Sequence, residues 1–394
     1  MHRIITTLAL AGALGSGAVL QERQATCAAI PANPALTSVA ALPNPFTTFG
    51  GQAVTTRAQW TCRQAEISSL FQRYELGTKP AAPNGLTASF SGTTLSITST
   101  INGKSMTFSV TIRLPTTGTA PYPAIIAYGA PSIPIPAGVA TIIFDNSAMA
   151  QQTNTQSRGQ GLFYNLYGAQ ADAAATTAWA WGVSRIIDAL ALTPSAQIDP
   201  ARVGVTGCSR NGKGAFIAGA LDSRIALTIP QESGSGGASC WRLSDDMLAR
   251  GINTQTARQI VTENVWFSQR FASFGDSVNT LPVDHHLLVG LVAPRGLLVI
   301  ENTDFEWLGP WSAFGCMTAG RRVYEALEAK DRMGFTQVGG HQHCQFPESQ
   351  RADLEAFVGR FLLRRNTSTD IFKTDVGQQF DEGRWAPWTT PRLV

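Results

Sequence analysis

The stretch Val203 to Ala215, VGVTGCSRNGKGA, constrains the fold of this chain more than any other. Four residues of strand character, Val203, Gly204, Val205 and Thr206, run into Gly207-Cys208-Ser209-Arg210, after which Gly212 and Gly214 open a helical stretch. The pattern is a strand, a sharp turn and a helix, with a serine at the apex. Such a turn forces the serine into a strained backbone conformation, and glycines nearby let strand and helix pack closely. A hydroxyl held there projects above the sheet edge, beside a helix N-terminus where developing negative charge is favoured. The spacing departs from G-x-S-x-G because the glycine after Ser209 comes one residue late. Taken alone, the pattern also describes a plain strand-to-helix turn.

The grammar of the remaining chain supplies the context. A helix is expected from about Thr56 to Tyr74. Residues Leu86 to Leu114 then alternate apolar and polar, broken by Gly92 and by Asn102-Gly103, a strong hairpin signal. Tyr122 to Tyr128 and Gly138 to Phe144 are short apolar runs of the kind buried in parallel sheets. The series continues with a helix over Ala171 to Leu192, the strand at Val203, the helix after Asn211 and a strand at Ile225 to Pro230. After a helical region to about Phe274 come a helix at Asp284 to Val292 and a strand at Gly296 to Glu301. A helix at Ser312 to Arg332, a strand at Phe335 to Val338 and a helix at Ser349 to Arg364 close it. Strands alternating with helices after an antiparallel start describe a mostly parallel central sheet between helical layers. With a serine elbow, this three-layer α/β arrangement narrows to the α/β-hydrolase fold.

Composition matters for compartment and partners. The N-terminus, MHRIITTLALAGALGSGAVL, has one arginine, an apolar run and small residues at Gly15 to Ala18, which reads as a secretory signal peptide over residues 1–20. The remainder, 21–394, reads as one catalytic domain without an attached carbohydrate-binding module, extracellular and monomeric. No other stretch is apolar enough to span a bilayer. A net charge of +3 with no basic run argues against nucleic acid as a partner. Six cysteines in a secreted chain, Cys27, Cys62, Cys208, Cys240, Cys316 and Cys344, imply disulfides, and none has the C-x-x-C spacing of a zinc site. No metal or organic cofactor is expected. Asn366-Thr367-Ser368 is a glycosylation sequon in a polar stretch.

A nucleophilic serine needs a base, and the chain has five histidines, of which His2 falls in the signal. His285-His286 open an apolar helix and read as a structural pair. His341 and His343 lie in GGHQHCQFP, a loop after the last strand of the series, where this fold places its histidine. If Ser209 meets His343, Cys208 and Cys344 are each one residue from the contact, within reach of a bridge that staples the two loops. For the acid, Glu232 follows the strand after the elbow in a glycine-rich turn, whereas Glu301, Asp304 and Glu306 follow the next strand, the more usual position. Arg210 offers its backbone N–H, and its guanidinium, to an oxyanion. Lys213 lies one helical turn beyond Ser209, a spacing equally compatible with a solvated surface lysine.

The elbow G-C-S-R-N-G-K-G, the strand end P-Q-E-S-G-S-G-G and the loop H-x-H-C-x-F-P together resemble the fungal glucuronoyl esterases, carbohydrate esterase family 15, from Cys27 to about Arg365. That resemblance implies Ser209 as nucleophile, His343 as base, Glu232 as acid and Arg210 at the oxyanion. It implies Lys213, Gln255, Glu263 and Trp307 on the sugar, and disulfides Cys27 to Cys62, Cys208 to Cys344 and Cys240 to Cys316. The implied substrate is the ester between 4-O-methyl-glucuronic acid of glucuronoxylan and a lignin alcohol. A glucuronoyl ester has its carboxylate masked, so hydroxyl donors and acceptors and an indole face suit the sugar. The rival expectations are another secreted carbohydrate esterase, such as an acetyl xylan esterase, and a non-catalytic sugar-binding protein on the same fold.

Overall fold

The computed structural model describes residues 27–394, so the expected signal peptide lies outside the described residues. Ten strands form one sheet: β1 (Gly85–Ser91), β2 (Thr94–Ile101), β3 (Lys104–Arg113), β4 (Tyr122–Tyr128), β5 (Ala140–Phe144), β6 (Ile198–Cys208), β7 (Leu227–Gln231), β8 (Gly296–Glu301), β9 (Met333–Gln337) and β10 (Phe372–Thr374). Their spatial order is β1-β2-β3-β5-β4-β6-β7-β8-β9-β10. The first three strands pair antiparallel, β3 pairs antiparallel with β5, and the pairs from β5 through to β10 are parallel. Asn102-Gly103 turns the second hairpin with positive φ at both residues, 50° and 78°, as a two-residue hairpin loop requires. The alternation in β2 and β3 sorts hydroxyls to the exposed face, where Ser96–Ser109, Thr98–Thr107 and Thr100–Ser105 pair across the strands at 2.8–2.9 Å.

The helices are α1 (Arg57–Phe71), α2 (Asn146–Met149), α3 (Leu162–Tyr167), α4 (Ala175–Leu192), α5 (Arg210–Leu221), α6 (Trp241–Ala249), α7 (Ala257–Glu263), α8 (His286–Val292), α9 (Pro310–Ala326), α10 (Arg351–Phe361) and α11 (Glu382–Trp385). Alternate residues of the central strands feed two cores. In β4, Ala124 and Ile126 join the larger core with Trp179, Trp181 and Ile186 of α4 and Phe216 of α5. Ile125 faces the other way and packs with Leu354, Phe357 and Val358 of α10. Burying each such aliphatic or phenyl side chain is worth roughly 1.5–3 kcal/mol, so apolar residues on both faces commit these strands to the middle of three layers. Among the described residues, no helix is long and apolar enough to cross a membrane.

Two departures from the sequence reading have local causes. The helix expected over Ser312 to Arg332 ends at Ala326, because Glu328 takes a φ of 56° before a separate 3-10 turn at Lys330–Arg332. A left-handed glutamate carries no glycine-like signal in sequence. Strand β10 is three residues, FKT, joined in parallel to β9, too short for an alternation pattern to reveal.

Candidate active site

Sheet register builds the site. Cys208 at the end of β6 pairs with Gln231 at the end of β7, and Gln231 pairs with Ile300 of β8. Glu301 in turn pairs with Gln337 at the end of β9. Ser209, Glu232, Glu301 and the loop after Gln337 therefore leave one carboxyl edge side by side, the edge at which parallel α/β sheets place ligands.

Ser209 has φ 59° and ψ −127° and immediately precedes α5. Its N–H donates to the Gln231 carbonyl at 2.9 Å, and its own carbonyl accepts from Lys213 N at 3.0 Å. A backbone of this kind persists where the surrounding structure over-determines it. A Cβ on Gly212 would sit 2.6 Å from the Gln231 carbonyl oxygen, and one on Gly214 would sit 2.5 Å from the Tyr128 ring. Gly212 lets α5 approach the β7 backbone, and Gly214 leaves room for the Tyr128 and Trp179 rings. Arg210 is the first residue of α5, where an N–H has no carbonyl four residues back within the helix to bond.

The disulfide Cys208–Cys344 joins the elbow to the histidine loop, with Cα atoms 5.8 Å apart. A ring nitrogen of His343 lies within 4.8 Å of both sulfurs. His343 Nδ1 and Glu232 Oε2 are 2.7 Å apart, and Cys344 N donates to the same oxygen at 3.0 Å. Gln231 Nε2 donates to Glu232 Oε1 at 3.4 Å. Glu232 is fully buried, with φ 43°, while the His343 side chain is 25% exposed. A carboxylate on Nδ1 selects the tautomer with its proton there and leaves Nε2 able to accept one. Cys208, His343 and Cys344 are the one grouping with metal-ligand spacing among the described residues, and both of its sulfurs are committed to the disulfide, so it offers no thiolate.

The other candidates are held elsewhere. His341 Nδ1 is 3.8 Å from Glu232 Oε1, but its nitrogens lie within 3.1–3.2 Å of Asn302 Nδ2 and the carbonyls of Gln342 and Val338. Glu301 accepts from Ser233 N and Oγ and Gly234 N at 2.8, 3.0 and 3.4 Å, bracing the turn that carries Glu232. Burial above all, with the Glu232 charge, pushes its carboxyl up to about 7 against the pull of those donors. Asp304 accepts from Gly340 N at 2.6 Å, and Glu306 is exposed. His285 and His286 are fully buried in the body of the protein, bonded to Glu75 and to the Pro43 carbonyl.

Lys213 is 4% exposed, which excludes the alternative of a solvated surface lysine. Helix α5 points it under the glycine-rich turn, where Nζ donates to the Ser233 and Ser235 carbonyls at 2.6 and 2.7 Å. Burial lowers its pKa to about 8 against the pull of Glu301 and Glu263, with Arg210 lowering it further. Two of its three N–H groups are thus engaged. Gln255 Nε2 donates to Glu263 Oε2 at 2.8 Å, and Gln255 N to the Trp307 carbonyl at 3.1 Å. The Trp307 ring stands edge-on to His343, with centroids 4.8 Å apart. Serine, imidazole, carboxylate, cations and an indole face therefore share one edge.

The family model described as "Glucuronyl esterase, fungi" matches residues 97–328. The chain belongs to this family. It is 56% identical over 369 residues to the 4-O-methyl-glucuronoyl methylesterase of Hypocrea jecorina, covering 94% of this chain and 80% of that one. It is 50% identical over 394 residues to the 4-O-methyl-glucuronoyl methylesterase of Thermothelomyces thermophilus, covering 98% of each. The glucuronoyl esterase catalytic domain from Hypocrea jecorina superposes with a TM-score of 0.91, covering 93% of this chain and 100% of that chain at 55% identity. A serine-to-alanine variant from Sporotrichum thermophile, solved with methyl 4-O-methyl-β-D-glucopyranuronate, gives 0.91 at 49% identity, over 94% of this chain and 100% of that one. This member of the family is a carboxylic ester hydrolase on an α/β-hydrolase scaffold. The disulfides Cys27–Cys62 and Cys240–Cys316 are also formed, and Asn366 is exposed. Sequence motifs missed Trp266 and Gln152, which lie beside Arg210. The one available signal for the first was an indole three residues after Glu263, in TENVWF.

Proposed function

We propose that this esterase cleaves the ester between 4-O-methyl-D-glucuronic acid of glucuronoxylan and a lignin alcohol, through Ser209, His343 and Glu232. The observation that carries the reading is the His343–Glu232 contact of 2.7 Å on a loop bonded covalently to the residue before Ser209. His343 Nε2 takes the Ser209 hydroxyl proton as Oγ attacks the uronoyl carbonyl carbon. The Nδ1–H bond to Glu232 stabilises the imidazolium that forms. The oxyanion is held by Arg210, and losing one such donor typically costs about 100 to 1000-fold in rate. His343 then gives its proton to the departing alcohol oxygen, leaving an acyl-enzyme on Ser209. Water, deprotonated by His343, repeats the sequence and releases the uronic acid.

On this reading Lys213, Gln255, Glu263 and Trp307 bind the sugar. The unengaged ammonium N–H of Lys213 donates to a hydroxyl, Glu263 accepts, Gln255 does both, and the indole supplies an apolar face. The relative crystallised with methyl 4-O-methyl-β-D-glucopyranuronate supports that substrate class. Residues 1–20 act as a secretion signal, 21–394 form one extracellular catalytic domain that acts as a monomer, and Asn366 is a glycan acceptor. Side-by-side assays with a methyl ester of 4-O-methyl-glucuronate and with acetylated xylan test the assignment. Release of methanol is the expected result, and deacetylation alone would defeat the reading in favour of an acetyl xylan esterase.

A further inference from the structure

Two cations follow Ser209 on α5, and they are held in different ways. Lys213 is tied down by two carbonyls. The exposed Arg210 makes no side-chain hydrogen bond or ion pair among the described residues. What faces it is the indole of Trp266, whose ring centroid lies 5.9 Å from the guanidinium carbon and 5.8 Å from Lys213 Nζ. A cation within about 6 Å of an indole face is attracted by the ring quadrupole.

The ring itself is pinned. Trp266 is 4% exposed. Its Nε1–H donates to Gln152 Oε1 at 2.9 Å, and its backbone carbonyl accepts from Thr176 Oγ1 at 2.5 Å. Gln152 is fixed in turn: its Nε2 donates to Ser147 Oγ at 3.2 Å and its carbonyl accepts from Asn264 Nδ2 at 2.8 Å. Gln152 and Arg210 also line a cleft of about 440 Å³ with Ser147, Gln151 and Thr153, so the pin stands in the wall of an open approach to Arg210.

The choice of an aromatic partner has an electrostatic consequence. A carboxylate would hold the guanidinium equally well but would cancel the charge that an oxyanion needs. An indole carries no net charge and leaves every guanidinium N–H free. We infer that Trp266 is a positioning residue for ester hydrolysis: its ring holds the Arg210 guanidinium beside Ser209 as a positive charge with no ion-pair partner, and Gln152 sets the angle of the ring. The inference rests on the reading of Ser209 as nucleophile and of Arg210 as oxyanion partner.

The test is steady-state kinetics on a methyl ester of 4-O-methyl-glucuronate. Trp266→Leu lowers kcat/KM about 3 to 30-fold, the range expected for one or two cation–π contacts, with kcat carrying the larger share. Trp266→Phe, which keeps a ring face, recovers most of the loss. Gln152→Leu reproduces part of it, and Gln152→Asn, a neutral amide that keeps an acceptor for the indole N–H, falls less. In an Arg210→Ala background, Trp266→Leu has less than about a twofold further effect on kcat, because the partner it acts through is gone. An equal fall in both backgrounds overturns the inference, since it would mark a loss of packing alone. Should Trp266→Leu fail to fold, the two Gln152 variants decide, and wild-type kcat in both overturns the inference. Ser209→Ala separates the two levels. Turnover in that variant sinks the nucleophile reading, whereas a dead Ser209→Ala beside a fully active Trp266→Leu sinks only the positioning role.

Discussion

Among the described residues, two pairs of a buried carboxylate with a histidine have nearly identical lengths and differ in what the second ring nitrogen faces. Glu232 Oε2 lies 2.7 Å from His343 Nδ1, and Glu75 Oε1 lies 2.6 Å from His285 Nε2. In the second pair both side chains are fully buried, and the remaining nitrogen, Nδ1, lies 2.7 Å from the Gly237 carbonyl. Burial disfavours the imidazolium there, but the Glu75 charge and hydrogen bond outweigh it and raise the His285 pKa. Both nitrogens then donate, and the ring, packed edge-on by Phe71 and Trp241, has no site left for a proton in transit. His343 is part-exposed, with the elbow beside it and no protein partner on Nε2 among the described residues. The carboxylate–histidine contact by itself is therefore no mark of catalysis. What the second nitrogen faces decides the role.

That contrast is broken or sharpened by variants on each side. The largest expected effect is on the His343 side: Ser209→Ala or His343→Ala lowers kcat on the methyl ester by roughly a millionfold, with the unfolding midpoint close to wild type. Glu232→Gln lowers it by about 10⁴, because the ring loses the tautomer and orientation that the carboxylate imposes. Activity within tenfold of wild type in His343→Ala or in Glu232→Gln would remove the altered residue from the chemistry.

On the His285 side the same edit should fall on stability. Glu75→Gln costs about 3–5 kcal/mol by chemical denaturation, because it strands a buried charge, while the folded fraction keeps wild-type kcat/KM. The pH dependence has a definite sign. The folded-state pKa of His285 is raised above its ordinary 6.5, so its contribution is complete below about 6.5 and is lost as pH rises through the folded value. Glu75→Gln should flatten that part of the stability profile, and an unchanged profile would exclude His285 as its source.

Two smaller effects refine the active side. Cys208→Ser with Cys344→Ser removes a bridge spanning 136 residues and costs about 2–4 kcal/mol, together with a fall in kcat as the histidine loop loses its tether. Equal kcat with and without the bridge would mean that the Glu232 bonds alone position His343. Lys213 has its pKa lowered to about 8, so its ammonium is present below that pH and absent above it. On the proposed contact of Lys213 with the sugar, KM should rise about tenfold as pH passes through 8 and the charged donor is lost, and Lys213→Gln should abolish the rise.

Much of this architecture was legible in residues alone. The hairpin turn at Asn102-Gly103, the apolar run of β4 and the bounds of β8 follow from alternation and turn chemistry, which act over a few residues. The strand, turn and helix around Ser209 declared themselves through glycines whose absent side chains let α5 meet the sheet. The four acidic residues at or just beyond the ends of β7 and β8, in contrast, are indistinguishable by spacing. Separating them required knowing which carboxylate meets an imidazole 111 residues away. Trp266 and Gln152 gave no motif, since a ring that holds a cation is written like any core tryptophan.

The sequence by itself determined the layers, the elbow and the chemistry available at one sheet edge, because those depend on periodicity and on what each side chain can do. Only the tertiary structure decided which groups touch. Register aligned Ser209 with Glu232, burial excluded a solvated Lys213 and tied two of its three N–H groups to carbonyls, and distance separated a histidine with an open nitrogen from a sealed one. Contacts between segments more than a hundred residues apart arise from packing, and no local pattern encodes them.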